Sequence, residues 1–133
     1  MIRWQKKWPA RAEHVGAARK AASAAAQAAG ADREVRDAVG IAVSEAVSNV
    51  VLHGYRKPPP GEFALTLEVE DGALHITVTD DGIGMQPRTD SPGAGLGLPL
   101  IANVTQSFSV SAVPEGGTEV CMTFPLDERA RAS

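Results

Sequence analysis

Two side chains able to do chemistry stand four residues apart in the stretch "AVSEAVSNVVLHGY", residues 42 to 55: Glu45 and Asn49. On an α-helix that spacing stacks them one turn apart on one face, a carboxylate beside an amide that both donates and accepts. A second candidate is "TDDGIGM", in which Asp80 closes a run of alternating residues and Gly82 and Gly84 leave no Cβ to block a flat ligand. The third is "GAGLGLPLI", with glycines at 93, 95 and 97 opening a short helix; unpaired amides at such a start form an anion site, and polyphosphate is its usual occupant. Singly, each motif is a weak signal, and an ordinary turn or a solvated helix flank accounts for the first two more often than a site does. Together, in this order and each in its required context, they point to one nucleotide-sized cleft.

The elements that must hold these residues follow from hydrophobic period and turn chemistry. "IRWQKKWP" puts Ile2, Trp4, Lys6 and Trp8 on one side of an edge strand that Pro9 ends. Arg11 to about Ala29 is Ala-rich helix stopped by Gly30, and a second helix runs from an Asp32 cap to His53, stopped by Gly54 and "RKPPP". On that helix Val35, Val39, Val43, Ala46, Val47 and Val50 fall in one arc about 120° wide, the sheet-facing stripe, with Arg33, Asp37, Ser44 and Ser48 opposite. Glu45 and Asn49 fall between the arcs, on a shoulder shared with Ala38, Ile41, Ala42 and Leu52. "EFALTLEVE" and "ALHITVTD" alternate at period two around Asp71-Gly72, a strong hairpin signal. A short helix is expected from about Gly95 to Thr105, then two strands, "SFSVSAVP" and "GGTEVCMTFPL". The fold class expected is α+β: a two-layer sandwich with a mixed, mostly antiparallel β-sheet and three helices on one face.

Composition narrows the function classes. A chain of 133 residues, 44% hydrophobic, fits one domain, expected over 1–126 with a flexible tail at 127–133. A net charge of −3 without a basic run gives no footprint for nucleic acid. No stretch reaches membrane-span length, and the one cysteine, Cys121, forms no internal disulfide and reads as a structural thiol, so a cytoplasmic protein is expected.

With those residues in view, the chain resembles the GHKL ATP-binding superfamily, the Bergerat fold of gyrase, MutL and histidine kinases. "EAVSN" resembles its N-box, "DDGIG" its G1 box, "GLGLPLI" its G2 box, and "GGTEV" its final Gly-Thr, over about residues 10 to 125. "SEAVSNVVLHGY" and "GLGLPLIANV" are similar to the bacterial anti-sigma factor, serine-protein kinase branch. The resemblance implies ATP and Mg²⁺ as cofactors, with Asn49 ligating the metal and Glu45 orienting or deprotonating the attacking hydroxyl. It implies that Asp80 accepts the adenine amine, that Gly82 and Gly84 give the base room, and that Thr118 holds a water against it. Amides around Gly95, Leu96, Gly97 and Leu98 would cradle phosphates, and His53 would touch the phosphate side. Implied partners are a sigma factor and a STAS-type anti-sigma factor antagonist phosphorylated on Ser or Thr, with a homodimer expected. The short lid "QPRTDSP" between Met85 and Gly93 motivates an alternative, a nucleotide-gated binding regulator without kinase activity.

Overall fold

A computed structural model of the chain describes residues 2–54, 61–81, 105–112 and 117–126. Five strands, β1 (Ile2–Pro9), β2 (Glu62–Glu70), β3 (Ala73–Asp80), β4 (Ser107–Ala112) and β5 (Thr118–Pro125), form one sheet in the order β1-β2-β3-β5-β4. Every pairing among the described residues is antiparallel, in place of the mixed, mostly antiparallel sheet expected. The β2–β3 hairpin turns at Asp71 (φ 53°) and Gly72 (φ 72°). Positive φ at both positions gives the mirror-image turn whose twist matches the strands, and Asp is among the few non-glycine residues that tolerate it.

Alternation sorts the strands into two faces. Phe63, Leu65 and Leu67, then Leu74, Ile76 and Val78, then Val120, Met122 and Phe124 point into the core, with Ile76 lying between Leu67 and Met122 across the strands. Two helices cover that face, α1 (Val15–Ala28) and α2 (Arg33–Asn49). The α2 stripe of Val35, Val39, Val43, Ala46, Val47 and Val50 is buried against the sheet, and α1 packs on α2 with its Ala18, Ala22 and Ala26 fully buried. Small side chains four apart let the helix backbones approach closely, at the cost of less apolar area per residue. Two α-helices, not three, occur among the described residues. The third expected helix lies outside them except for Thr105, which sits in a bend.

Helix boundaries depart from the periodicity at both ends. Arg11 offers no capping side chain, and the chain enters α1 through a 3₁₀ turn, Ala12–His14, instead of starting as α-helix at Arg11. Asp32 does cap α2, its Oδ1 accepting from Val35 N at 3.0 Å. The far end does not run on to His53 as α-helix: α geometry stops at Asn49 and gives way to a π turn, Val50–Gly54. A wider turn brings successive side chains closer in direction, so Val50 is buried and its neighbour Val51 half-buried on the apolar side. Gly16, near the start of α1, has nothing within 4 Å of where a Cβ would stand. Gly16→Ala is therefore expected to raise stability by about 0.5–1 kcal/mol by narrowing the unfolded ensemble, seen as a higher urea midpoint with an unchanged slope.

Strand β1 forms an edge as expected. It is held by Trp8 stacked on Phe63 (centroids 5.6 Å apart), by Gln5 Nε2 donating to Thr66 Oγ1 at 2.9 Å, and by Arg3 beside Glu68. Lys6 lies over the Trp8 ring at 5.1 Å, and a lysine so placed discourages edge-to-edge pairing. The uncovered face of the sheet is polar and rich in hydroxyls, including Thr77, Thr79, Thr123, Ser107 and Ser109. Cys121 belongs to that face, its Sγ donating to Glu119 Oε1 at 3.2 Å. Partial burial, then the hydrogen bond to Glu119, raise its thiol pKa above the ordinary range, which suits a structural thiol. No helix among the described residues is long and apolar enough to cross a membrane.

Candidate functional site

The inward stripe of β3 runs Leu74, Ile76, Val78 and then Asp80; that of β5 runs Phe124, Met122, Val120 and then Thr118. Parity alone carries both polar residues onto the helix-covered face. The antiparallel register that pairs Val78 with Val120 and Thr79 with Glu119 brings Asp80 and Thr118 opposite each other at the next step. Asp80 also pairs with Phe63, which pairs with Trp8, and Thr118 pairs with Ala112. One cross-strand row thus spans all five strands at this end of the sheet, apolar on the β1–β2 side with a carboxylate and a hydroxyl at its centre. Asp80 is only 3% exposed and Thr118 1%. Retaining a carboxylate in such a place costs stability unless donors meet it, and buried ionisable groups of this kind mark functional sites.

The two consecutive aspartates divide the work. Asp81 is exposed, and its Oδ1 accepts from Glu62 N at 3.2 Å, tying the end of β3 to the start of β2. Asp80 is the inward one. Its backbone is held by Gly117, which has φ +100° and on which a Cβ would overlap the Asp80 carbonyl oxygen. Gly117 is a site-shaping residue that sequence reasoning passed over. Its signal was present in "GGTEV", but only the three-dimensional approach of two backbones gives that glycine a task.

Asn49 ends α2, and α2 packs on both β3 and β5, the strands that carry Asp80 and Thr118. It is 4% exposed, and its Nδ2 has no hydrogen-bond partner among the described residues. A buried amide lacking an acceptor costs about 1–3 kcal/mol. Its two ends suit the two poles of a metal–phosphate ligand: the oxygen a hard cation, the nitrogen an anionic oxygen. Asn49 is therefore not on the half-open shoulder expected of it: its wheel neighbour Ala42 is fully buried as well, so the covered face of α2 extends past the valine stripe to take in both. On the opposite flank of α2, where α1 packs, a Cβ at Gly40 would stand 3.5 Å from Ser23 Oγ and 3.6 Å from Arg19 Cγ.

Glu45 does not join this buried set. It is half-buried and lines the open groove between α1 and α2 with Arg19, Lys20, Arg36, Ile41 and Ser44. His53 falls within the π turn. Gly82, Gly84, Gly95, Leu96, Gly97 and Leu98 lie outside the described residues. Among the described residues no three His, Cys, Asp or Glu side chains converge to hold a metal ion.

Residues 8–124 match the model of the histidine kinase-like ATPase domain. Among curated proteins the chain is similar to the anti-sigma F factor of Oceanobacillus iheyensis, 31% identical over 97 residues covering 65% of this chain and 66% of that protein. It is also similar to the anti-sigma F factor of Geobacillus stearothermophilus, 33% identical over 89 residues covering 59% of this chain and 61% of that protein. The chain thus spans a little under two thirds of the length of these relatives. In fold it is similar to the crystal structure of the RsbU and RsbW domains of a Mycobacterium tuberculosis protein, with a TM-score of 0.74 and 20% identity over 94% of this chain and 32% of the other.

Proposed function

The chain belongs to the histidine kinase-like ATPase domain family, and from that premise we propose that it is an ATP-binding anti-sigma factor. In this proposal it sequesters a sigma factor and phosphorylates Ser or Thr of an antagonist protein. The observation that carries the nucleotide reading is the buried Asp80, set in an apolar cross-strand row with Thr118 opposite and Gly117 against its backbone. A flat base slides between apolar residues and offers its amine to a carboxylate that water does not reach. The curated relatives named anti-sigma F factor support the regulatory reading.

Mechanistically, Asp80 orients the base, and Thr118 supplies a hydroxyl beside it. Asn49 would hold the metal that accompanies the phosphates, and Mg²⁺ bound there would supply positive charge that favours transfer. Glu45, one turn before Asn49, faces a groove open to solvent, where an incoming hydroxyl has access to it. It takes up or directs that hydroxyl's proton.

Phosphoryl transfer from labelled ATP to a candidate antagonist tests this directly. Glu45→Ala is expected to lower the transfer rate about 100-fold or more, the size of a general-base contribution, with ATP affinity unchanged. Antagonist labelling by that variant at the wild-type rate would remove Glu45 from the chemistry. No labelling by the wild type, alongside tight and nucleotide-dependent sigma binding, would favour a regulator without kinase activity.

A further inference from the structure

We propose that the π turn Val50–Gly54 is a positioning element that keeps the two residues three and four places on from packing over the buried Asn49 amide, leaving that amide to a Mg²⁺–nucleotide ligand; the inference rests on the nucleotide-binding reading above. In an α-helix, the side chains three and four residues on lean back toward the N-terminus and cover the turn before them. Continued α geometry would therefore lay residues 52 and 53 over Asn49. Instead α geometry ends at Asn49 itself, and Leu52, three residues on, is 68% exposed. The turn is anchored at its start. Val50 is 1% exposed in the core, and its N–H is shared between Ala46 O and Val47 O.

Nothing in Val-Val-Leu-His asks for π geometry by local preference, since neither Pro nor Gly occurs before Gly54. π turns are rare, and they persist where the surrounding structure holds them, with a strong bias toward functional sites. This one begins at the residue after the buried amide whose Nδ2 lacks an acceptor among the described residues. The coincidence ties the irregular backbone to the presentation of Asn49. A π turn is in effect one residue inserted into an α-helix, so removing one residue is the means of testing it.

Three proteins are compared: wild type, Asn49→Ala, and a variant lacking Val51, in which the helix is expected to continue as α. ATP affinity is measured by titration with Mg²⁺ and with a chelator, and the ratio of the two is the readout. In wild type Mg²⁺ strengthens binding. Both variants are expected to lose about 10-fold or more of that enhancement, the scale on which groups that orient a metal ligand act, so that affinity with Mg²⁺ falls by at least that much more than metal-free affinity does. A general weakening of the fold would lower both affinities and leave the ratio intact. A folded deletion variant with the full wild-type ratio overturns the inference while sparing the nucleotide site. Full enhancement in Asn49→Ala overturns it through its ligand, and absence of ATP binding by wild type overturns the nucleotide reading as well. Should the deletion variant fail to fold, amide exchange of wild type decides. Slower exchange across 51–54 with Mg²⁺ and ATP, absent with ATP and chelator, supports the inference, and equal slowing under both conditions overturns it.

Discussion

Asp80→Asn is expected to weaken ATP binding by about 10- to 100-fold, the worth of one hydrogen bond to a charged group of roughly 1.5–3 kcal/mol, and to erase the preference for adenine over guanine. Asp and Asn are nearly isosteric, so the row of Phe63, Asp80 and Thr118 keeps its packing. What changes is polarity. An ionised carboxylate only accepts, which matches the adenine amine and repels the guanine carbonyl; an amide presents both a donor and an acceptor and discriminates poorly. Stability without ligand is expected to hold or rise, because the substitution removes the cost of burying a charge. That sign separates loss of binding from loss of fold: the thermal midpoint of wild type should climb with ATP, as mass action requires, while that of the variant stays flat at the same concentration. Affinity for ATP within about threefold of wild type would take Asp80 out of base recognition.

The strands were legible in the sequence because a half-covered antiparallel sheet writes its faces as alternation. The same parity that assigned Leu74, Ile76 and Val78 to the core carries forward to Asp80, and that of Val120, Met122 and Phe124 carries back to Thr118. The α2 stripe was legible for the same reason, at period 3.6. Asn49 was not. A helical wheel finds the strongest apolar stripe but not how far past its edge the covered face extends, and on α2 that face reaches through the small Ala42 to Asn49. The π turn escaped because Val-Val-Leu-His carries no local signal for it, and Gly54 at its end reads equally well as a plain helix stop. The 3₁₀ entry to α1 was hidden behind the high helix propensity of alanine, which says how well a helix continues and little about how it begins.

Gly117→Ala is the substitution expected to do most damage for the fewest atoms. At φ +100° any side chain strains the backbone by about 1–2 kcal/mol. Here the added methyl would also overlap the Asp80 carbonyl oxygen and press on Asp81 Cα, both backbone and neither able to swing aside like a side-chain tip. Either β5 shifts from β3 or the end of β3 moves, and both displace the Asp80 carboxylate from its row. Stability is expected to fall by about 2–4 kcal/mol, from strain plus disturbed packing. ATP affinity is expected to fall about 100-fold, since a misplacement near 1 Å is enough for a loss of that size. If Gly117 acts on the ligand through Asp80, the effects must not add. The double variant, Asp80→Asn with Gly117→Ala, should bind ATP little worse than Gly117→Ala alone, because a carboxylate already out of place has little left to lose. Additive losses in affinity would mean that Gly117 shapes the site by another route, through Thr118 next to it, and the link between backbone approach and base recognition would have to be redrawn there.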